Sequence, residues 1–418
     1  MKVVIVHGDG MAAVPIPELD GKTPLQAAAT PNMDLLASQG ELGRMVIQAE
    51  GLTPGSDLTQ LAVLGYDPRK YHQGPASWEA TSLGVSLGEH DIVFRCDMVT
   101  LRAATPRGGR DKPAEIKKLG SQVILDDDNA GGIELEEARE LIDAVNEQLG
   151  SETIQFYQGS GSRHFMVWVG GTVRTTCWNP HEAVGQEIGR FLPTGDGSDI
   201  LRKLMEASLI ILRDHPVNDQ RREAGLKPAH CLWLWGQGRV PRLPSLTERL
   251  DMSGAIVSTS NLHRGIGICA GLEGVELEAD ARNDATEFSQ KGDAAVRVLQ
   301  KKDLVYVHAS MPADVLRRRD TKAGLRVLED FDRNLIGTVL DGLRGMGAHR
   351  LLLVCDYAGE AGHRPGGSPP IPYVLYEGPG KEGSAGGRGF SEAEAEAATE
   401  GVRDATKLIA RLCSKGKG

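Results

Sequence analysis

Ser56 stands in the run Leu52-Thr53-Pro54-Gly55-Ser56-Asp57, just before the mostly apolar stretch Leu58 to Leu64. The pattern predicts a helix that opens at the serine. The first N–H groups of a helix have no intrahelical partner and carry the positive end of its dipole. They favour an alkoxide there, and the phosphate it would carry. A serine in this place can accept a phosphoryl group; it can also be an ordinary helix cap. Asp9 and Asp356 add weight to the chemical reading, because each follows a short apolar run, Val3 to Val6 and Leu351 to Val354. Asp9, Ser56 and Asp356 could then bring three oxygen ligands to one divalent metal. An aspartate at a strand end also caps turns, so both readings stand at this point.

Such residues need a frame to hold them. Val3-Val4-Ile5-Val6 reads as a buried strand that delivers His7 to Asp9 into a turn. Ala255-Ile256-Val257, Leu304 to Val307 and Leu351 to Val354 read as further buried strands. Helical patterns cover Met33 to Ser38, Asp293 to Leu299, Ala323 to Leu343 and Glu392 to Leu412, with Ser391 and Glu394 resembling a capping box. Short apolar strands alternating with amphipathic helices predict an α/β fold with a parallel sheet. In such sheets ligands gather beyond the carboxyl ends of the strands. Asp9 and Asp356 occupy that kind of place, and His308 follows another strand. The middle of the chain differs. Ser151 to Gly171 reads as strand, loop and strand, and Glu134 to Leu149 and Ser198 to Arg213 read as helices. This predicts a smaller α+β domain inserted into the first, with borders near Gly88 and Pro241. The glycine-rich segment Gly378 to Gly389 reads as a surface loop, and it lacks the spacing of a phosphate-cradling loop.

The bulk numbers narrow the function classes. A chain of 418 residues with 40% hydrophobic and 25% charged residues has the make-up of a globular protein of two or three domains. A formal net charge of -10 argues against nucleic acid as a partner, since a phosphate backbone needs a basic face. Cys96, Cys177, Cys231, Cys269, Cys355 and Cys413 show no metal-finger or redox spacing, which predicts reduced thiols and a cytoplasmic setting. The apolar run after Met1-Lys2 is too short for a signal peptide, and no stretch approaches a membrane span.

Several runs together carry a family resemblance. They are Gly21-Lys22-Thr23-Pro24-Leu25, Thr30-Pro31-Asn32-Met33-Asp34, Pro54-Gly55-Ser56-Asp57 and Leu64-Gly65-Tyr66-Asp67-Pro68. Phe94-Arg95-Cys96, Arg163-His164, Asp214-His215-Pro216-Val217-Asn218 and Trp233-Leu234-Trp235-Gly236-Gln237-Gly238 follow in order. The chain resembles the archaeal-type branch of the cofactor-independent phosphoglycerate mutases, in the alkaline phosphatase superfamily, from Val3 to about Glu400. The resemblance implies an alkaline-phosphatase-like parallel-sheet domain for metal and phosphotransfer, residues 1–88 and 241–418, interrupted by a substrate-capping domain, residues 89–240. It implies two divalent metals (manganese, zinc or magnesium) and a serine that takes a phosphoryl group from one hydroxyl of phosphoglycerate and returns it to the other. Ser56 matches that nucleophile, and Asp9, Ser56 and Asp356 match three ligands of one metal. Arg95, Arg163, His164 and Arg264 stand where the family has basic residues near the substrate.

The chain departs from the family mainly at the metals. The family places histidine after its late aspartate, and here Tyr357 follows Asp356. A tyrosine binds metal only as phenolate, which forms at a pH near about 10. The ligands of the second metal fall on Ala313, Arg317 and Gly366. Alanine and glycine offer no donor, and arginine repels a cation. Near Asp9 an Asp-Arg pair has become Ala13-Val14, and Ser77 and its neighbours lack an arginine of the family's run. The expected outcome is one divalent metal at most, the second site being lost. Asp314 or His363 would replace a lost ligand only after a backbone slip. Arg317 either enters the vacated place as a fixed cation or sits in a solvated basic turn with Arg318 and Arg319.

Three functions follow. The expectation is a phosphoglycerate mutase-like protein with an incomplete two-metal site, impaired or non-catalytic, that binds a small phosphorylated metabolite or serves a protein partner. The alternatives are an active mutase interconverting 2- and 3-phosphoglycerate through a phosphoserine at Ser56, or a repurposed phosphotransferase on another small alcohol.

Overall fold

The apolar runs form strands, and the strands lie side by side. The computed structural model describes residues 1–52, 55–104, 116–172, 174–239, 242–277, 284–311, 320–357, 369–380 and 387–414. Ala313, Asp314, Arg317, His363 and Gly366 lie outside these residues. The chain divides into two compact units, Met1–His72 with Arg242–Gly418, and Gln73–Pro241.

The first unit holds an eight-stranded sheet. Its strands are β1 (Lys2–Ala12), β2 (Glu41–Val46), β3 (Gly254–Val257), β4 (Glu273–Val275), β5 (Leu304–Ser310), β6 (His349–Tyr357), β7 (Ile371–Gly378) and β8 (Val402–Asp404). Their order is β4-β3-β5-β1-β6-β7-β2-β8. The run from β4 to β6 is parallel, and β7 is antiparallel to both of its neighbours. This is an α/β fold with a largely parallel sheet. Val3 to Val6, Val305 to Val307 and Leu351 to Val354 are all fully buried, as a sheet covered on both faces requires.

β1 is longer than the sequence suggests. It runs through His7 and Asp9 as strand, with a register irregularity against β6 between Gly8 and Ala12, so these residues extend the sheet instead of entering a turn. Two helical expectations also change. The segment from Ala323 to Leu343 is interrupted by a π-helical stretch, Phe331–Gly337. Within it the buried Asp332 accepts hydrogen bonds from the backbone N–H of Asn32 at 3.2 Å and of Met33 at 2.7 Å, and so caps the helix Pro31–Gln39 from outside. The expected helix from Glu392 to Leu412 is two short helices, Glu392–Ala397 and Leu408–Leu412, with β8 between them. Gly401 has φ +68°, which ends helical geometry and turns the chain into β8 beside β2. The Ser391 side chain does accept from the Glu394 N–H, at 3.3 Å.

The second unit is α+β. Strand Ile92–Ala103 pairs antiparallel with Val123–Asp127, Arg163–Trp168 and Cys231–Gly238, and Ile154–Ser160 pairs with Arg163–Trp168. Helices Leu135–Leu149 and Ser198–Arg213 contribute their apolar faces to its core. The helix Pro75–Ser82 packs its alanines on Val93, Phe165 and Val167. That packing explains why the unit begins at Gln73, ahead of the border placed near Gly88. All five tryptophans (Trp78, Trp168, Trp178, Trp233 and Trp235) fall between Gln73 and Pro241, so their fluorescence reports this unit alone.

Two histidines make this unit acid-sensitive. His164 Nδ1 accepts the Gly159 N–H at 3.2 Å, and His230 Nδ1 accepts the Leu101 N–H at 3.0 Å. Burial pushes each imidazole down to about 4. The unfolded chain, with histidines near about 6.5, then binds more protons than the folded one at mildly acid pH. Stability is therefore complete above the unfolded value and is lost as pH falls from there towards 4. The expected loss is on the order of 3 kcal/mol for buried His164 and less for partly exposed His230. Urea titrations followed by tryptophan fluorescence at a series of pH values check this; a flat midpoint across that window would refute it.

Among the described residues no helix is long and apolar enough to cross a membrane.

Candidate active site

The carboxyl ends of four adjacent parallel strands furnish the site. β3 leads through Ser258 and Ser260 into helix α2 (Asn261–Cys269), which carries His263. β5 ends with His308 and Ser310, β1 carries His7 and Asp9, and β6 carries Asp356. In the β1–β5 register His7 stands beside His308 and Asp9 beside Ser310. Residues two apart on a strand face the same way, so the placing of one polar pair places the next.

Ser56 is the first residue of helix α1 (Ser56–Val63), and Gly55 occupies the cap position. The Ser56 side chain caps nothing in its own helix. Its Oγ lies 3.0 Å from His263 Nε2. One turn on, Gln60 fixes that histidine. The Gln60 amide nitrogen donates to the His263 carbonyl at 3.0 Å, which turns the amide oxygen towards His263 Nδ1, 2.7 Å away. Nδ1 therefore carries the proton, and Nε2 is left to accept from the serine hydroxyl. Burial, and then the neighbouring His308, hold the His263 imidazole well below the usual histidine range, so it is neutral.

Asp9 joins this group. Its Oδ2 lies 3.9 Å from His263 Nε2 and 3.5 Å from His308 Nε2. The rings of His263 and His308 stack with centroids 3.5 Å apart. Asp356 sits differently. Its Oδ1 accepts from the Thr59 hydroxyl, and its Oδ2 faces His7 Nε2 at 2.5 Å. His7 Nδ1 is 2.8 Å from the Tyr306 hydroxyl. Burial opposes a charge on His7, but Asp356 and Asp9 outweigh it and raise its pKa above the ordinary value. His7 and Asp356 thus form a buried hydrogen-bonded pair in which the carboxylate favours the charged imidazole.

The structure brings Ser56 and Asp9 together at His263. It ties Asp356 to the group through His7 and Thr59. Each Asp356 oxygen already carries one hydrogen bond, to Thr59 or to His7, so the metal implied for Asp9, Ser56 and Asp356 would share that carboxylate with them. Tyr357 is partly buried beside Ala12 in the β1–β6 register. What faces the serine is a carboxylate and imidazole nitrogen, with His7, His263 and His308 close enough to share one ion.

The expected anion-binding residues fall in both units. Arg264 lies one residue beyond His263 on α2, where it pairs with Glu276 and covers Gly274 of β4. Arg95, Arg163 and His164 belong to the second unit. Buried Arg95 makes two bonds to Glu79, at 2.7 and 2.9 Å, and Arg163 makes two to Asp97, at 3.0 and 3.2 Å. Both guanidiniums lie over Trp235, whose Nε1 donates to Asp97 at 2.9 Å. His164 is fully enclosed, and its Nε2 has no partner.

Sequence reasoning passed over His263, Gln60, Thr59, Tyr306 and the part played by His7. Thr59 and Gln60 stand three and four residues after Ser56, the spacing of one helix face. His7 stands two before Asp9, the spacing of one strand face. His263 gave no comparable signal.

Comparisons with known proteins place the chain in a family. A family model described as 2,3-bisphosphoglycerate-independent phosphoglycerate mutase matches residues 37–218. A probable 2,3-bisphosphoglycerate-independent phosphoglycerate mutase of Geobacter sulfurreducens is 37% identical over 99% of this chain and 100% of its own length. A 2,3-bisphosphoglycerate-independent phosphoglycerate mutase of Methanosarcina barkeri is 35% identical over 99% of each chain. Among solved structures, a Pyrococcus horikoshii protein aligns with TM-score 0.73 at 24% identity, covering 100% of this chain and 99% of its own. A cofactor-independent phosphoglycerate mutase from Thermoplasma acidophilum aligns with TM-score 0.60 at 24% identity over 99% of each chain. With full-length relatives at these identities, the chain belongs to the 2,3-bisphosphoglycerate-independent phosphoglycerate mutase family.

Proposed function

We propose that the chain interconverts 2- and 3-phosphoglycerate, taking the phosphoryl group onto Ser56 and returning it to the neighbouring hydroxyl of the bound glycerate. This replaces the impaired, non-catalytic protein expected from the missing ligands alone. The full-length relatives named as mutases support it. The observation that carries it is the contact between Ser56 Oγ and His263 Nε2, 3.0 Å long, with Gln60 setting the tautomer.

The steps balance within these residues. Ser56 gives its hydroxyl proton to His263 Nε2 as Oγ attacks phosphorus. The bond from phosphorus to the sugar-acid oxygen breaks, and that oxygen takes the proton from Nε2. Reversal on the other hydroxyl completes the isomerisation. Asp9 lies beside the imidazolium formed midway and lowers its energy. The N–H groups of the first turn of α1 favour the phosphate charge.

A second reading, a metabolite binder without turnover, draws on Ala313, Arg317 and Gly366, which stand at the matched ligand positions of the second metal. One assay separates the two. Purified protein given 3-phosphoglycerate is expected to form 2-phosphoglycerate without releasing inorganic phosphate. Label from phosphoryl-labelled substrate is expected in an acid-stable phosphoserine on the peptide that contains Ser56. Binding of phosphoglycerate with neither product nor label would establish the binder instead.

A further inference from the structure

We propose that Tyr306 and Thr59 are positioning residues for the nucleophile. They are the two ends of a buried hydrogen-bonded chain, Tyr306–His7–Asp356–Thr59, that sets helix α1, with Ser56 at its head, against the sheet. Tyr306, His7 and Asp356 lie on three adjacent strands, β5, β1 and β6. His7 stands beside His308 in one register and beside Val354 in the other. Tyr306 is two residues before His308 and Asp356 is two beyond Val354, so all three side chains point to one face of the sheet. Each step along the chain also climbs towards the carboxyl ends of the strands. The last step leaves the sheet for α1, where the Thr59 hydroxyl donates to Asp356 Oδ1.

All four residues are buried. Tyr306 and His7 are 0% exposed, Thr59 1% and Asp356 7%. A buried polar chain is a costly way to fill space. Phenylalanine for Tyr306 and valine for Thr59 would occupy nearly the same volume with no polar atom to satisfy. What the polar atoms add is direction, since a hydrogen bond holds its partners within a narrow range of distance and angle.

Direction matters at Ser56. Gln60 makes both of its bonds to His263, and Ser56 faces the same residue, so these ties join α1 to α2. Ties to one neighbour leave rotation about the line between them to packing. Thr59, one turn after Ser56, adds a tie in another direction, to β6, and opposes that rotation. His7 Nε2 holds the second oxygen of Asp356 at 2.5 Å, and the Tyr306 hydroxyl meets His7 Nδ1 at 2.8 Å, so the carboxylate is not free to turn with the helix. Ser56 Oγ is thereby kept 3.0 Å from His263 Nε2. The effect of Tyr306 and Thr59 on rate rests on Ser56 being the phosphoryl acceptor; their hold on its position does not.

The test has one arm that needs no substrate. Full-length protein labelled with ¹⁵N in its histidines is read by NMR. His263→Gln assigns the His263 Nε2 resonance, and Ser56→Ala marks its place without the serine hydroxyl. Thr59→Val is expected to move that resonance most of the way to the Ser56→Ala place, and Tyr306→Phe to move it in the same direction. Thr59→Ser, which keeps the hydroxyl, should restore the parent's spectrum. In the mutase assay Thr59→Val should lower kcat about 10- to 100-fold with KM changed less than about threefold, while Thr59→Ser stays within about threefold of the parent. An unmoved resonance in Thr59→Val, or an equal shift in Thr59→Ser, would overturn the proposal. A shift in Thr59→Val with none in Tyr306→Phe would overturn the part given to Tyr306. Parent protein that forms no 2-phosphoglycerate would refute the proposed function, and the spectra would still decide how Ser56 is placed. Should Thr59→Val lose its far-UV circular dichroism, Tyr306→Phe, which deletes a single oxygen, carries the test.

Discussion

Ser56→Ala is expected to abolish mutase activity and the labelled phosphoserine together, with kcat falling at least about a thousandfold. The size of the effect follows from what alanine removes. Without Oγ no group accepts the phosphoryl from the substrate, and a direct transfer between hydroxyls of one glycerate would need a geometry that a phosphoserine step avoids. The fold should not suffer. Gly55 is the cap residue of the helix Ser56–Val63, and the Ser56 side chain caps none of its N–H groups. His263 keeps Gln60 on its other nitrogen, so the variant should unfold at the same urea concentration as the parent. An intermediate result is informative. If product still forms at more than a tenth of the parent rate, phosphoryl transfer uses another acceptor and the assignment of Ser56 fails.

The same residue shows how much of the site was legible in the sequence. The apolar runs before Asp9, His308 and Asp356 could be read as buried strands because four consecutive apolar residues suit a sheet covered on both faces. Ligand gathering beyond their carboxyl ends follows from the architecture. What could not be read was the order of the strands. Ser56 meets His263 across 207 residues of sequence, and only the side-by-side placing of Gly254–Val257, Leu304–Ser310 and Lys2–Ala12 creates the meeting. Asp356 illustrates the converse. Its position was anticipated, yet its oxygens went to Thr59 and His7, two residues that local pattern had left unassigned. Residue type told which groups can do chemistry; tertiary pairing decided which of them stay available. The end of the chain follows a similar logic, since a helical pattern from Glu392 to Leu412 lost to one left-handed glycine and a place beside Glu41–Val46.

In the second unit the pairing itself sets the largest stability effect. Glu79 and Arg95 are 6% and 8% exposed, and the guanidinium makes both of its strong bonds to that one carboxylate. Removing Glu79 as Glu79→Ala leaves a buried cation without its counterion. Loss of one partner of such a pair costs about 3–5 kcal/mol, more than the pair itself contributes, because the remaining charge keeps its desolvation penalty. Asp97 cannot take over without giving up Arg163 and Trp235, which it already holds. Glu79→Gln, which keeps an acceptor of similar shape, should cost less. The double variant Glu79→Ala with Arg95→Met should recover most of the loss, since the uncompensated charge disappears with its side chain. Urea unfolding read through the tryptophans, all of which lie in this unit, measures the three variants directly. A loss under about 1 kcal/mol for Glu79→Ala would mean that water reaches Arg95, as it would for a surface pair. Arg95 would then be free to meet an anion, and the structural role argued from its burial would give way to the binding role that its position in the family suggested.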